Sequence, residues 1–183
     1  MHLNKQAPFV LWFTGLSGVG KSTLAEAMHS FFVERQQRSY LLDGDVLRKG
    51  LSSDLGFSDS DRTENIRRAA ELANTLLDSG CIVLAALISP KHKQRQLVRN
   101  SCKRNQFVEI YVDTPFEECE RRDVKGLYKK ARTGELKNFT GIDSDYEVPA
   151  APDIHIKTEQ QSLDASVKAV ISYLVLNGYI EKQ

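Results

Sequence analysis

Short apolar runs alternate with longer segments of helical spacing along most of the chain. Phe9-Val10-Leu11-Trp12-Phe13 is unbroken in its apolarity and predicts a first strand. Leu24, Met28, Phe31 and Phe32 then recur at helical spacing, which predicts a helix from Ser22 to about Arg35. Tyr40-Leu41-Leu42 predicts a second strand that ends in Asp43-Gly44-Asp45. A short helix closed by Gly50 follows, and then a loop from Ser52 to Phe57. Ser58-Asp59-Ser60-Asp61 offers several N-caps for a long helix, from about Asp61 to Asp78, closed by Ser79-Gly80. Cys81 to Ile88 is continuously apolar, as suits a central parallel strand buried on both faces, and it ends at Ser89-Pro90. Lys91 to Asn100 predicts a basic helix carrying Lys91, Lys93, Arg95 and Arg99, and Phe107 to Val112 a fourth strand. Thr114-Pro115-Phe116-Glu117 reads as a helix start, with Thr as N-cap, Pro at N1 and Glu at N3. Residues 123–149 are irregular and rich in charge. Ile154 to Lys157 predicts a last strand, and a final helix runs from a Ser162 cap to about Leu176, with Gly178 beyond it.

Strands alternating with helices imply an α/β fold: a parallel sheet with helices on both faces. In such sheets the loops at the carboxyl ends of the strands converge, and ligands bind there. Those loops are 15–22, 43–45, Ser89-Pro90 and the 123–149 segment. A length of 183 residues fits one domain spanning 1–183.

The first of these loops carries the sharpest chemistry. Gly15-Leu16-Ser17-Gly18-Val19-Gly20-Lys21-Ser22 matches the phosphate-binding pattern G-x-x-x-x-G-K-[ST], between a strand and a helix as that pattern requires. Its glycines let backbone N–H groups turn inward around an anion, and the helix N-terminus adds a positive dipole end. Lys21 would reach the β- and γ-phosphates, and the Ser22 hydroxyl would hold Mg²⁺. The plain alternative is a glycine-rich turn that binds nothing. Asp43-Gly44-Asp45 sits where a parallel sheet places ligands, but an ordinary Asp-Gly turn reads the same way. The start of the long helix is dense in charge. Glu64 can pair with Arg67 and Arg68 on a solvated face, or Arg62 can grip a second anionic ligand that Asn65 reads. The 123–149 segment is either a disordered surface loop or a binding lid, and it carries aromatics and cations together.

Bulk properties narrow the field. Lys and Arg number 25 against 24 Asp and Glu, so nothing points to a nucleic-acid partner, and a nucleotide site has to build its positive field locally. Cys81, Cys102 and Cys119 are far apart, without a C-x-x-C pair, which speaks against a disulfide framework and against zinc. The first six residues are short and polar, unlike a signal peptide, and no apolar run is long enough to span a membrane. The chain is expected to be cytoplasmic, without a membrane partner.

Taken together, the motifs resemble the adenylylsulfate kinase (APS kinase) family. The matching stretches are 12–18, Asp43-Gly44-Asp45 with Arg48, Asp54-Leu55-Gly56-Phe57-Ser58, and Asp61-Arg62-Thr63-Glu64-Asn65-Ile66-Arg67-Arg68. Ile88-Ser89-Pro90, the run from Lys125-Gly126-Leu127 to Arg132, and Phe139-Thr140-Gly141-Ile142-Asp143 complete the set, in order over roughly residues 9 to 157. The resemblance implies a P-loop kinase fold and transfer of the γ-phosphoryl group of ATP to the 3′-hydroxyl of adenylyl sulfate. The products would be ADP and 3′-phosphoadenylyl sulfate, the activated sulfate donor. It implies nucleotide contacts from residues 15–22 and Thr23. It implies acceptor contacts from Asp43, Asp45, Arg48, Phe57, Arg62, Asn65, Ile88, Ser89, Lys125, Leu127 and Phe139, with the segment about 123–149 as a lid. It also casts Ser89 as a phosphoserine intermediate. A strand-end serine that merely contacts substrate fits equally, since a hydroxyl without an adjacent base is a weak nucleophile.

The expected catalytic set is Lys21, Asp45, Asp43 and Ser89. Asp45 is expected to orient or deprotonate the acceptor 3′-hydroxyl, with Asp43 helping to place the metal or its water, though the two roles could be reversed. Spacing does not decide between them. Leu87, Lys91 and Val124 depart from the usual pattern, where an aromatic, a Tyr and a Pro are frequent. They motivate a second reading, a related kinase with another small nucleotide acceptor. A third is a non-catalytic nucleotide-binding module, which the absence of N-K-x-D and of a strand-end D-x-x-G weakens. Members of the family are often dimers, so a homodimer is open, though no stretch of the chain marks a dimer surface.

Overall fold

A computed structural model describes residues 7–182; Met1 to Gln6, read above as a polar lead, lie outside them. Five parallel strands form one sheet in the order β2-β3-β1-β4-β5. They are β1 (Val10–Thr14), β2 (Ser39–Asp43), β3 (Ile82–Ala86), β4 (Phe107–Asp113) and β5 (Ile154–Lys157). The helices are α1 (Lys21–Glu34), α2 (Gly44–Lys49), α3 (Asp59–Asp78), α4 (His92–Ser101), α5 (Phe116–Arg122), α6 (Leu127–Arg132) and α7 (Leu163–Leu176).

The strand period of two divides the core. Leu11 and Phe13 of β1 pack with Leu24, Met28 and Phe32 of α1 and with Val170 and Leu174 of α7. Val10 and Trp12 face the other side, against Ile66, Ala69, Ala70 and Ala73 of α3 and Val98 of α4. Both faces are therefore covered, which is why β1 and β3 are buried throughout and, Thr14 apart, apolar.

Two local expectations differ from the structure. Thr114 is not the N-cap of α5: Pro115 takes that position, and the Thr114 hydroxyl bonds the Thr158 hydroxyl instead. The Thr158 N–H donates to the Asp113 carbonyl at 2.9 Å, which brings that competing partner within reach. The 123–149 segment is not irregular throughout, because it contains α6. Gly126, at φ +64°, precedes this helix, and the Asp123 carboxylate accepts the Tyr128 and Lys129 N–H groups, each at 3.0 Å. Among the described residues no helix is long and apolar enough to cross a membrane.

Candidate active site

The carboxyl ends of β1, β2 and β3, together with the 123–139 region, enclose a cleft of about 580 Å³. Its first wall is the loop between β1 and α1. Gly15 has φ +146°, and a Cβ there would collide with the Val112 carbonyl, so only glycine fits. Lys21 opens α1 and is nearly buried; its Nζ donates to the carbonyls of Gly15 at 2.9 Å and Leu16 at 2.7 Å. Burial, helped by the nearby Lys125 charge, pushes its ammonium down to about 8. Ser17, Gly18, Gly20, Lys21, Ser22 and Thr23 line the cleft. Gly15, Leu16 and Val19 do not: the Val19 side chain belongs to the core, and the other two meet Lys21 through their carbonyls. The Tyr128 hydroxyl, whose role the sequence did not disclose, donates to the Ser17 carbonyl at 2.8 Å and props this loop.

Asp43 and Asp45 are set apart by their partners. Asp43 ends β2 and caps α2, its Oδ1 accepting the Asp45 N–H at 2.8 Å. Its Oδ2 accepts the Ser22 hydroxyl at 2.6 Å. Asp45 is mostly exposed and pairs across the cleft mouth with Lys125. Ser22 and Asp43 thus present hard oxygen donors beside a phosphate-binding loop. No cluster of three His, Cys, Asp or Glu occurs among the described residues. The donor set fits Mg²⁺, which is commonly held by one or two protein oxygens, water and substrate phosphates rather than by a protein cage.

The far end is aromatic and cationic. Arg48 donates to the Gly56 carbonyl at 2.8 Å and lies over the Phe57 ring at 4.3 Å. Arg62 is buried, donates to the Phe57 carbonyl at 3.1 Å and also bonds the Asn138 carbonyl, bringing the long helix and the 123–149 segment together. The two readings of this helix start fall on different faces: Glu64 takes Arg67 and Arg68, while Arg62 and Asn65 line the cleft. Asn65 is 5% exposed, and its Oδ1 has no protein hydrogen-bond partner. A buried acceptor of this kind on a cleft wall is open to a donor from water or from a ligand. Phe139 packs edge-on against Tyr128 at 4.9 Å, and Leu127 and Lys125 complete that wall.

Ile88, Ser89 and Pro90 form a strap along the opposite wall. Ser89 is 1% exposed with φ +46°, a left-handed conformation that costs free energy in a non-glycine residue. Its hydroxyl accepts from Trp12 Nε1 at 2.8 Å and donates to the Leu87 carbonyl at 3.2 Å. Leu87 lines the cleft, Val124 sits exposed at its mouth, and Lys91 instead points toward Glu147. Lys49, Leu136 and Lys137 line it as well. They carry no signal of their own in the sequence, because a surface lysine or a lone leucine matches any exposed helix or loop. Lys21, Arg48, Lys49, Arg62, Lys125 and Lys137 face only Asp43 and Asp45, so a chain of net charge +1 concentrates positive charge here. The arrangement can hold polyphosphate at one end and a second anionic, aromatic ligand at the other.

Comparison with known proteins gives the same picture. The family model "Adenylylsulphate kinase" matches residues 7–157. The chain is 55% identical over 175 residues to the adenylyl-sulfate kinase of Pseudomonas aeruginosa, covering 96% of this chain and 89% of that one. It superposes on the Mycobacterium tuberculosis APS kinase in complex with AMPPNP and APS with a TM-score of 0.88 and 46% identity, over 92% of this chain and 98% of that one. A hexameric APS kinase from Thiobacillus denitrificans matches with a TM-score of 0.74 and 31% identity, over 98% of this chain and 31% of that one.

Proposed function

Because the chain belongs to the adenylylsulphate kinase family, we propose a division of labour in its cleft for that family's reaction. The chain phosphorylates adenylyl sulfate with ATP, giving 3′-phosphoadenylyl sulfate and ADP. The observation that carries the assignment of ends is the pairing of a phosphate-binding loop with an aromatic, arginine-lined pocket holding the unpartnered Asn65 Oδ1.

ATP lies on Ser17, Gly18 and the stretch from Gly20 to Thr23. Lys21 leaves the Gly15 and Leu16 carbonyls for the β- and γ-phosphates and neutralises charge that develops during transfer. Ser22 and Asp43 would hold Mg²⁺, which would neutralise charge on the phosphates. Adenylyl sulfate lies at the other end, its base between Phe57 and Phe139, with an amino group offered to Asn65 Oδ1. Arg48, Arg62 and Lys125 hold its anionic groups. Asp43 is committed to Ser22 and to the turn, so Asp45 is the residue that orients and deprotonates the 3′-hydroxyl. Lys125 must release Asp45 for this, and the 123–149 lid carries it. The Ser89 hydroxyl gives its proton to the Leu87 carbonyl, which is no base, and one lone pair accepts from Trp12, which favours direct transfer over a phosphoserine intermediate. The chain is read as one kinase domain. Its described cysteines are all unpaired, as a reducing cytoplasm would leave them.

The test is chromatographic: incubate the protein with Mg²⁺, ATP and adenylyl sulfate, then quantify both products. Equal, acceptor-dependent formation of ADP and 3′-phosphoadenylyl sulfate is expected; ADP without the phosphorylated product would move the assignment to another acceptor. Asp45→Asn is expected to lower kcat by about a hundredfold or more, with ATP affinity nearly intact, as loss of a general base does. A defect confined to ATP binding would remove Asp45 from that role.

ATP binding should also titrate. Lys21 loses its proton near 8 in the free protein, whereas phosphate oxygens favour the charged form. ATP affinity should therefore be level below that pH and fall above it, approaching about tenfold per pH unit as binding takes up one proton. Equilibrium titration between pH 7 and 9.5 checks this, and a flat profile would contradict the Lys21 contact.

A further inference from the structure

The 123–149 segment rejoins the body of the fold at Tyr146 and Glu147, through contacts that the chemistry above does not use. The Glu147 N–H donates to the Pro90 carbonyl at 2.7 Å, and the Glu147 carbonyl accepts from Arg95 Nη2 at 2.7 Å. The carboxylate Oε2 accepts the His92 N–H at 2.6 Å, and Oε1 lies 3.6 Å from Lys91 Nζ. His92 is the first residue of α4, so a carboxylate from a distant segment meets a free N–H at the positive end of that helix. One residue earlier, the Tyr146 hydroxyl donates to Thr14 Oγ1 at 2.9 Å. Thr14 Oγ1 in turn donates to the Ile88 carbonyl at 2.6 Å. The strap of Ile88, Ser89 and Pro90 is thus gripped on either side of its left-handed residue.

A non-glycine residue stays in that conformation only where its surroundings fix it. Trp12 and Arg95 hold Ser89 from inside the fold; Glu147 is the partner supplied by the returning lid. We propose that Glu147 is a positioning residue for the acceptor: it fixes the strap that walls the acceptor end of the cleft, and so sets acceptor affinity without touching the nucleotide end. This rests on the reading that the cleft takes adenylyl sulfate. The strap meets the loop of residues 15–22 through a long bond, from the Gly15 N–H to the Ile88 carbonyl at 3.5 Å, whereas Ser89 and Pro90 face the acceptor end, so the acceptor affinity carries the larger effect.

The experiment compares the wild-type chain with Glu147→Ala and Glu147→Gln. The alanine variant is expected to raise KM for adenylyl sulfate by about tenfold, the scale of one lost charge-assisted hydrogen bond, with ATP affinity within about twofold. Glutamine keeps an oxygen for the His92 N–H but loses the charge facing Lys91, so it should fall between. Hydrogen exchange supplies a readout independent of turnover: amides of residues 88–94 should exchange about tenfold faster in Glu147→Ala, while those of α1 are unchanged. An unaltered acceptor KM in the folded alanine variant, or equal losses for ATP and acceptor, would overturn the proposal. If the wild type fails to turn over adenylyl sulfate, the functional reading falls on its own. The exchange of residues 88–94 then still decides the anchor, and no change there overturns it.

Discussion

Replacing Lys21 with alanine is expected to lower kcat/KM by about two to three orders of magnitude, without unfolding the protein. The size follows from what the ammonium does: a buried cation aimed at transferring phosphate stabilises charge that grows in the transition state, and losing one such donor costs about 3–4 kcal/mol of barrier. The fate of stability follows from its titration. The unfolded lysine keeps its proton to its ordinary pKa of 10.5, whereas the folded one gives it up near 8. Between those values the unfolded state binds more protons, so stability rises with pH across that window. Below about 8 both states are charged, and the folded state carries the full cost, on the order of 3 kcal/mol. Alanine removes that cost. It also forfeits the bonds to the Gly15 and Leu16 carbonyls, worth about 1 kcal/mol each, so Tm should equal or exceed that of the wild type. Steady-state kinetics beside calorimetry checks both halves. Near-normal turnover would remove Lys21 from the site, and a large drop in Tm would make the lost activity a folding defect.

Lys21 was legible in the sequence because its loop is written in residue types that nothing else satisfies. Gly15 cannot carry a Cβ beside Val112, and Gly20 at φ +97° forms the turn into α1. The strands and long helices were legible for a related reason, since burial on one or both faces imposes a period. Six-residue α6 was not, because its start is fixed by the Asp123 carboxylate and by Tyr128 packing on Phe116 and Phe139. Arg62 illustrates a middle case. Its neighbourhood reads as a solvated charged helix; Arg67 is just that, while Glu64 links it to the half-buried Arg68, which also holds Asp54. Which arginine faces inward depends on the rotation of α3 against the sheet, and spacing within one helix does not state it. Ser89 lies just past the end of β3, as read, but the bond its hydroxyl accepts comes from Trp12, a residue 77 positions away.

The largest effect on stability is expected at Arg95, which the sequence presents as one cation among several on a basic helix. It is 2% exposed. Nη1 donates to the Ser89 carbonyl at 2.7 Å, Nη2 donates to the Glu147 carbonyl at 2.7 Å, and Nε lies 2.9 Å from Glu109 Oε1. The last contact is a charge pair rather than an aligned hydrogen bond, because neither atom has a partner in hydrogen-bonding geometry. Glu109 is also nearly buried, and its other oxygen lies 3.3 Å from Arg99, which pairs with Asp153 at 2.7 Å. Arg95→Ala therefore strands a buried carboxylate on one long contact and leaves two carbonyls without their donor. Breaking a buried pair from one side costs about 3–5 kcal/mol. In a chain of this length that is a fall in Tm of about 6–20 °C. Glu109→Gln should cost a similar amount from the other side, by leaving the guanidinium without its counter-charge. The decisive comparison sets the double variant Arg95→Met with Glu109→Leu against Arg95→Met and Glu109→Leu made singly. Removing both charges together abolishes the stranded ion, so its loss should be smaller than the sum of the single losses by about 2 kcal/mol or more. What remains is the cost of the unpartnered Ser89 and Glu147 carbonyls. Losses that simply add would mean that the two charges do not sense each other, and that Arg95 stabilises the fold through its carbonyl bonds alone.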